Sequence, residues 1–137
     1  MFYKIYTDGA SRGNPGPSAA GGVIYNDADE MFIEISEYLG IQTNNFAEYM
    51  SLVLTLRKAI ELGVKNVVVF MDSSLVVNQV NGVWKINNTV LRELNNQVQK
   101  MKTEFETFKI SHVFRESNKV ADKLANRALD NFMNQSC

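Results

Sequence analysis

The chain contains very little cysteine or histidine. Of its 137 residues, only Cys137 is a cysteine and only His112 is a histidine. A disulfide framework within one chain and a cysteine or multi-histidine zinc site are therefore excluded. A reducing cytoplasm is the location that this composition fits best.

Long apolar runs are absent as well. No stretch approaches the roughly twenty apolar residues that a membrane span requires, so we expect no membrane association. The first ten residues lack the charged and apolar regions of a signal peptide and predict a strand instead. Because 45% of the residues are hydrophobic, residues 1–137 should form one globular domain with a full core.

Neither sign of charge dominates the chain. The net charge is −1 and the pI is about 5.8, which argues weakly against nucleic-acid binding. The charges are unevenly distributed, however. Residues 1–84 contain five Lys and Arg against nine Asp and Glu, and residues 85–127 contain nine against five. This division suits a polyanion held by one region and cut by another, although an unevenly charged, solvated surface explains it equally well.

The apolar patterning predicts a single α/β domain with the order βββαβααβα. Three antiparallel strands are expected at residues 2–8, 19–26 and 31–40, and two parallel strands at 67–71 and 108–114. Together they predict a mixed five-stranded sheet with helices on both faces. The helices are expected from the cap Thr43 to about Leu62, from Ser73 or Ser74 to about Val80, over 89–103, and from Ser117 to about Phe132.

Four carboxylates lie at separate points where elements meet or along a helix: Asp8, Glu48, Asp72 and Asp122. If the fold brings them together, they repel one another unless divalent cations lie between them. Such a cluster with its cations is suited to cleaving phosphodiesters. Each residue also has an ordinary explanation, as a turn residue, a helix-start acid, a cap or an exposed flank. The prediction depends on all four jointly.

Polar side chains surround these positions. Thr43, Asn44 and Asn45 cluster at a helix start, where free backbone N–H groups favour phosphate. Asn14 in the glycine-containing loop and Ser74 after Asp72 could reach sugar or base edges. Simple helix capping and turn formation explain part of this pattern.

The four motifs, taken in order, resemble type 1 ribonuclease H over nearly the whole chain. They are YTDGASRGNPGPSAAGGVI, TNNFAEYMSL, FMDSSLVVNQV and RESNKVADKLANRA. The resemblance implies an endonuclease that cuts the RNA strand of an RNA/DNA hybrid and leaves 5′-phosphate and 3′-hydroxyl ends. Such an enzyme needs no obligate protein partner, and we expect a monomer.

The resemblance also implies roles for individual residues. The four carboxylates match metal-binding catalytic residues holding two Mg²⁺ ions, for which Mn²⁺ can substitute. One ion would activate the attacking water and the other would stabilise the leaving 3′ oxygen. Thr43 matches a contact to a DNA phosphate, and Trp84 resembles an aromatic that packs on a DNA sugar, with a core position as the alternative. Residues that match hybrid-contacting positions are Gly9, Ala10, Asn14, Asn44 and Asn45.

The chain departs from the family pattern in two respects. Many relatives carry a histidine in the loop before the last aspartate. This chain has none there, and we interpret His112 as a structural strand residue. Arg115 is the nearby candidate for a compensating role, with Asn118 as a polar neighbour of Asp122, but an arginine cannot act as a general base.

The second departure is the absence of a basic protrusion after the tryptophan. Arg115, Lys119, Lys123 and Arg127 form a row at four-residue spacing that could face a phosphate backbone, or simply a solvated surface. Two alternatives remain: a non-catalytic nucleic-acid-binding module, which predicts a lost carboxylate, and another nuclease of the same fold. The sequence disfavours related exonucleases, because these usually show Asp-x-Glu on the first strand, whereas this chain has Asp8-Gly9-Ala10.

Overall fold

The computed structural model describes residues 2–135 and confirms the predicted element order. The bounds are β1 (Tyr3–Ser11), β2 (Gly16–Tyr25), β3 (Met31–Gln42), α1 (Asn44–Glu61), β4 (Asn66–Met71), α2 (Ser74–Val80), α3 (Thr89–Lys102), β5 (Thr107–His112), a 3₁₀ turn (Arg115–Ser117) and α4 (Lys119–Gln135). The sheet order is β3-β2-β1-β4-β5. The first three strands pair antiparallel, whereas β1 with β4 and β4 with β5 pair parallel. Cys137 lies outside the described residues.

Strand β1 is longer than the sequence predicted. It continues past Asp8 to Ser11, because Gly9 and Ala10 pair with Ala20 and Ala19 of β2. Asp8 therefore lies inside a strand rather than at its end. Its backbone is held by pairing with Gly21 of β2, which removes much of the freedom that a loop aspartate would have.

The end of β5 and the start of α4 also differ from the prediction. The strand ends at His112, which is the register partner of Met71, the last residue of β4. Val113 still donates its N–H to the carbonyl of Met71 at 2.8 Å, and the 3₁₀ turn then leads into α4 at Lys119. The cap of α2 is Ser73, whose hydroxyl accepts from the N–H of Val76.

Helices cover both faces of the sheet, as predicted. Consecutive strand residues point to opposite faces, and two adjacent glycines of β2 show which helix covers each. A Cβ at Gly21 would overlap the backbone of Ala121 in α4, and one at Gly22 would overlap the side chain of Thr55 in α1. The two glycines therefore allow both helices to lie directly on the sheet.

The main core lies between the sheet and the face formed by α1, α2 and α3. Because α1 also packs against α3, it is buried around more of its circumference than a surface helix. The sequence periodicity predicts a buried stripe on α1 made of Phe46, Ala47, Met50, Val53, Leu54 and Ile60. Ala47 and Val53 are buried as predicted, whereas Phe46, Met50, Leu54 and Ile60 are only half-buried. The fully buried side chains of α1 include Tyr49, Leu52 and Leu56. Within residues 2–135, no helix has the length and apolar character needed to cross a bilayer.

Candidate active site

Three carboxylates from three different elements meet at one end of the sheet. Asp8 comes from β1, Glu48 from the second turn of α1, and Asp72 from the residue after β4. Each offers one oxygen, and these oxygens all lie within 4.8 Å of one another. The carboxyl end of a parallel strand is where open α/β sheets bind ligands, and Asp72 occupies that position.

Gly9 brings α1 close enough for this convergence. A Cβ at this position would overlap the carbonyl carbon of Ala47 and the amide nitrogen of Glu48. The amide of Gly9 donates a hydrogen bond to Glu48 Oε1 at 2.7 Å. The glycine thus provides both the space for the helix and a donor that orients the carboxylate.

Burial and mutual repulsion perturb the pKa values of two of these acids. Asp8 is 4% exposed and Glu48 is 7% exposed. Desolvation raises the pKa of Asp8 far above its usual range, and the charges of Glu48 and Asp72 raise it further. Desolvation also raises the pKa of Glu48, although the N–H of Gly9, the Asp8 side chain and the charge of Arg115 oppose that rise. Without a cation, the cluster therefore holds at least one proton.

A divalent cation could replace that proton. The three donors are carboxylate oxygens, the donor set that hard divalent cations such as Mg²⁺, Ca²⁺ and Mn²⁺ take. The raised pKa of Asp8 is a second indication of a metal site, because a bound cation would lower the free energy of the ionised cluster. The residues present therefore fit a metal ion.

Asp122 lies beside this group rather than within it. It is half-buried in the first turn of α4 and lines the same cavity as the three acids. Its hydrogen bond with Asp8 makes a smaller contribution to the raised pKa of Asp8 than desolvation does. The Nδ2 of Asn126, one helical turn later, donates to the carbonyl and to Oδ1 of Asp122 at 3.0 and 3.3 Å. Sequence reasoning missed Asn126, although its i+4 spacing from Asp122 could have indicated it.

Asn118 hydrogen-bonds Asp72 rather than Asp122, the acid that the sequence had suggested. It is 1% exposed, and its Nδ2 donates to the carbonyl of Thr7 at 2.9 Å and to Oδ1 of Asp72 at 3.4 Å. The sequence had suggested a polar neighbour of Asp122. The amide instead joins the start of α4 to β1 and to the residue following β4.

A cavity of about 510 Å³ opens above the carboxylates. The predicted site residues that line it with the four acids are Gly9, Ala10, Asn44 and Arg115. His112 lines it too, as an exposed residue at the end of β5. His112 therefore lies in β5, as the sequence predicted, and its structural role stays a prediction. Phe114, which sequence reasoning passed over, lies on the same wall.

The remaining helix-start residues lie at a neighbouring cavity of about 380 Å³. Thr43, Asn45 and Asn14 are among its lining residues. Thr43 accepts a hydrogen bond from the N–H of Phe46 at 3.2 Å, so it caps α1 as expected. Asn14 Oδ1 accepts from the N–H of Asn44 at 3.0 Å, which ties the turn after β1 to the helix start.

Neither Trp84 nor Ser74 is among the residues that line the cavity above the carboxylates. Trp84 is 47% exposed, so the alternative that it is a core aromatic is wrong. It lines a separate cavity of about 500 Å³ together with Arg92 and Lys102. Ser74 is exposed at the first position of α2, and its carbonyl accepts from Asn78 Nδ2 at 2.7 Å.

The basic row is exposed throughout. Arg115, Lys119, Lys123 and Arg127 all lie on the surface. Arg127 approaches Glu34 of β3 at 3.9 Å, an exposed pair of little energetic consequence. Arg115 is the member that reaches the acidic cavity.

A five-stranded mixed sheet with this carboxylate group at the carboxyl end of β4 defines the ribonuclease H-like class of folds. The comparisons agree: the reverse transcriptase-like family matches residues 6–128. The chain belongs to that family and, within it, to the type 1 ribonucleases H.

Two relatives are known from both sequence and structure. Ribonuclease HI of Halobacterium salinarum is 41% identical over 125 residues, covering 91% of this chain and 63% of the relative. The crystal structure of RNase H1 from that archaeon superposes with a TM-score of 0.93 at 39% identity, over 96% of this chain and 99% of the other. The bifunctional protein Rv2228c of Mycobacterium tuberculosis is 41% identical over 131 residues. The match covers 95% of this chain but only 36% of that protein, so the chain spans about a third of this relative's length.

A third similar structure was solved with a nucleic acid. LC11-RNase H1 in complex with an RNA/DNA hybrid has a TM-score of 0.91 and 38% identity, over 96% of this chain and 99% of that one.

Proposed function

We propose that this protein is an endonuclease that hydrolyses the RNA strand of RNA/DNA hybrids and leaves 5′-phosphate and 3′-hydroxyl ends. The observation that carries the proposal is the convergence of three carboxylates from β1, α1 and the end of β4 within 4.8 Å. They line a cavity of about 510 Å³. The similarity to a ribonuclease H solved with a hybrid supports this substrate class.

The proposed metal ligands are Asp8, Glu48, Asp72 and Asp122, and the proposed ions are two Mg²⁺ with Mn²⁺ as a substitute. The bound ions would supply activation of water and stabilisation of the leaving 3′ oxygen. Oxygen donors alone favour these cations over zinc.

The chain's own contribution is to hold the acids in place and keep them ready to ionise. Each of three carboxylates accepts a hydrogen bond from a neighbour: Glu48 from Gly9, Asp72 from Asn118, and Asp122 from Asn126. These donors fix the side chains before a substrate arrives, which reduces the reorganisation needed during reaction. Because burial and the neighbouring charges raise the pKa of Asp8, metal binding should release protons.

Hybrid recognition is proposed for two neighbouring surfaces. Gly9, Ala10 and Asn44 lie beside the carboxylates and can contact the RNA strand, whose 2′-hydroxyls distinguish it from DNA. Asn14, Thr43 and Asn45 line the adjacent cavity, where the positive end of the α1 helix dipole would favour a DNA phosphate.

Two further contacts are proposed for residues that do not line the cavity above the acids. The exposed ring of Trp84 would pack on a DNA sugar. Ser74, at the start of α2, would reach the nucleic-acid backbone.

Arg115 is proposed to compensate for the loop histidine through its charge. It lines the acidic cavity, and its charge lowers the pKa of Glu48. Arg115→Ala should reduce kcat at least tenfold, while Arg115→Lys should retain more of it because the charge remains. Equal losses in both variants would argue for a role that depends on the guanidinium group rather than on charge.

The experiment that tests the function is a cleavage panel with Mg²⁺. It compares a labelled RNA/DNA hybrid with single-stranded RNA, duplex RNA and duplex DNA of the same sequence. We expect cleavage of the hybrid's RNA strand alone, and none after chelation with EDTA. Asp72→Asn should be inactive, and Asp27→Asn, an exposed turn acid, should be fully active. A wild-type protein that leaves the hybrid intact would refute the proposal.

At the level of the whole molecule, we propose that residues 1–137 are a single ribonuclease H domain. It would act as a monomer in the cytoplasm.

A further inference from the structure

An exposed phenylalanine stands on the wall of the acidic cavity. Phe114 is 75% exposed, the highest fraction among the large apolar side chains described as exposed. It belongs to neither of the two hydrophobic clusters of the described core. A large apolar side chain left in water beside a polar site commonly marks a contact for a partner or ligand.

The backbone around Phe114 is held on both sides. Val113 donates its N–H to the carbonyl of Met71 at 2.8 Å, and the carbonyl of Phe114 accepts from the N–H of Ser117 at 2.9 Å. Phe114 itself is extended, with φ −74° and ψ 156°, immediately before the 3₁₀ turn. The position of its Cα is therefore fixed relative to Asp72, the residue that follows Met71.

The ring of Phe114 contacts His112 and lies on the same side of the chain. Their ring centroids are 5.8 Å apart with an interplanar angle of 84°, an edge-to-face arrangement. Side chains two residues apart in extended backbone share a face, and both residues line the cavity that contains the carboxylates. His112 and Phe114 therefore form an aromatic wall of this cavity, beside the carboxylates.

We propose that Phe114, supported by His112, is a substrate-contacting residue whose ring packs on a ribose of the RNA strand next to the scissile phosphate. This inference rests on the proposed function. The carboxylates fix the scissile phosphate above them, so the group that reaches the aromatic wall is the adjoining nucleotide of the same strand. In a hybrid duplex the bases are stacked within the helix, whereas the sugars lie exposed along the shallow minor groove.

A ribose contact also agrees with the chemistry of the wall. The C–H face of a sugar can pack on an aromatic ring without reading base identity. Arg115, the next residue, lines the same cavity and can pair with an adjacent phosphate. The aromatic wall would thus add substrate affinity without sequence preference.

The test compares Phe114→Ala and Phe114→Trp with Phe32→Ala. Phe32 is an exposed phenylalanine of β3, at the opposite edge of the sheet. Phe114→Ala should raise KM for a hybrid at least about fivefold with kcat changed less than twofold, the size expected for one lost aromatic packing contact. Phe114→Trp should stay near wild type, as should Phe32→Ala. A KM for Phe114→Ala within twofold of wild type would overturn the proposal.

Two further arms identify the group contacted and separate this inference from the proposed function. In the first arm, the cleaved strand of the substrate contains a short run of ribonucleotides that fixes the cleavage site. Abasic nucleotides replace the nucleotides that flank this cleavage site. The penalty of Phe114→Ala should persist on this substrate. Its disappearance would show that the ring contacts a base, which overturns the ribose assignment.

The other arm measures hybrid binding by fluorescence anisotropy in the Asp72→Asn background, where no cleavage is expected. Weaker binding caused by Phe114→Ala supports the contact even if the wild-type protein does not cut hybrids. Unchanged binding refutes the contact even if the wild-type protein does cut them.

Discussion

The metal-free carboxylate cluster should make the protein less stable as the pH rises, and Asp8→Asn should reduce this dependence. Burial and the neighbouring charges raise the pKa of Asp8 in the folded state, so the folded protein holds a proton that the unfolded chain releases above about pH 4. An acid with a raised folded pKa contributes stability that is present below its unfolded pKa and lost as the pH rises.

The size of this effect follows from one retained proton. Linkage predicts a loss of roughly 1.4 kcal/mol of unfolding free energy for each pH unit, or roughly 3 kcal/mol between pH 5 and pH 7. The amide of Asn resembles the protonated carboxyl in shape but does not titrate. Asp8→Asn should therefore match the wild type near pH 4 and exceed its stability by an increasing margin at higher pH.

The assay is urea denaturation in EDTA at pH 5, 6, 7 and 8 for the wild type, Asp8→Asn and the control Asp27→Asn. Asp27 is an exposed turn residue, so its substitution should leave the pH dependence of the wild type unchanged. Saturating Mg²⁺ should raise the stability of the wild type at pH 8 and raise that of Asp8→Asn much less. A constant difference between Asp8→Asn and the wild type across the four pH values would refute the electrostatic reasoning.

Three other predictions concern the supports of the site and the hold on substrate. Gly9→Ala should destabilise the protein by about 3 kcal/mol in urea denaturation, because the added Cβ would overlap the backbone of Ala47; an unchanged midpoint would contradict the close packing. Asn118→Ala should cost roughly 1–3 kcal/mol of stability, because it removes a buried donor to β1. It should also lower kcat through Asp72, and loss of stability without loss of kcat would limit Asn118 to a structural role. Raising salt from low to physiological levels should reduce hybrid cleavage substantially at subsaturating substrate, and a flat response would contradict electrostatic binding.

The local sequence was sufficient to predict the element order and the position of Asp72. The apolar run before Asp72 is typical of a parallel strand covered on both faces, and the residue after such a strand lies at the ligand-binding edge. Glu48 could be found because Thr43 marks the start of its helix, and the structure confirms that cap. These features depend on neighbours within a few residues.

Strand ends depended on partners elsewhere in the chain. The alternating pattern of β5 continues to Phe114, but pairing stops at His112 because β4 ends at its partner Met71. Local patterning does not contain that information. For this reason the sequence placed Phe114 inside a strand, where its exposure could not be anticipated.

The partners of the carboxylates depended on how α4 lies on the sheet. Asn118 and Asp122 are one turn apart on the same helix side, and the sequence suggested that they act together. The packing of α4 against β1 and β2 instead directs Asn118 toward Asp72, and it leaves Asp122 with Asn126. Which amide hydrogen-bonds which carboxylate is therefore determined by tertiary contacts.

The most direct measurement is the anomalous diffraction of a crystal of this protein grown with Mn²⁺. If the acids form a metal centre, an anomalous peak should lie within coordination distance of Asp8, Glu48 and Asp72, and it should vanish in Asp72→Asn. A map with no peak among these three carboxylates at saturating Mn²⁺ would contradict the account.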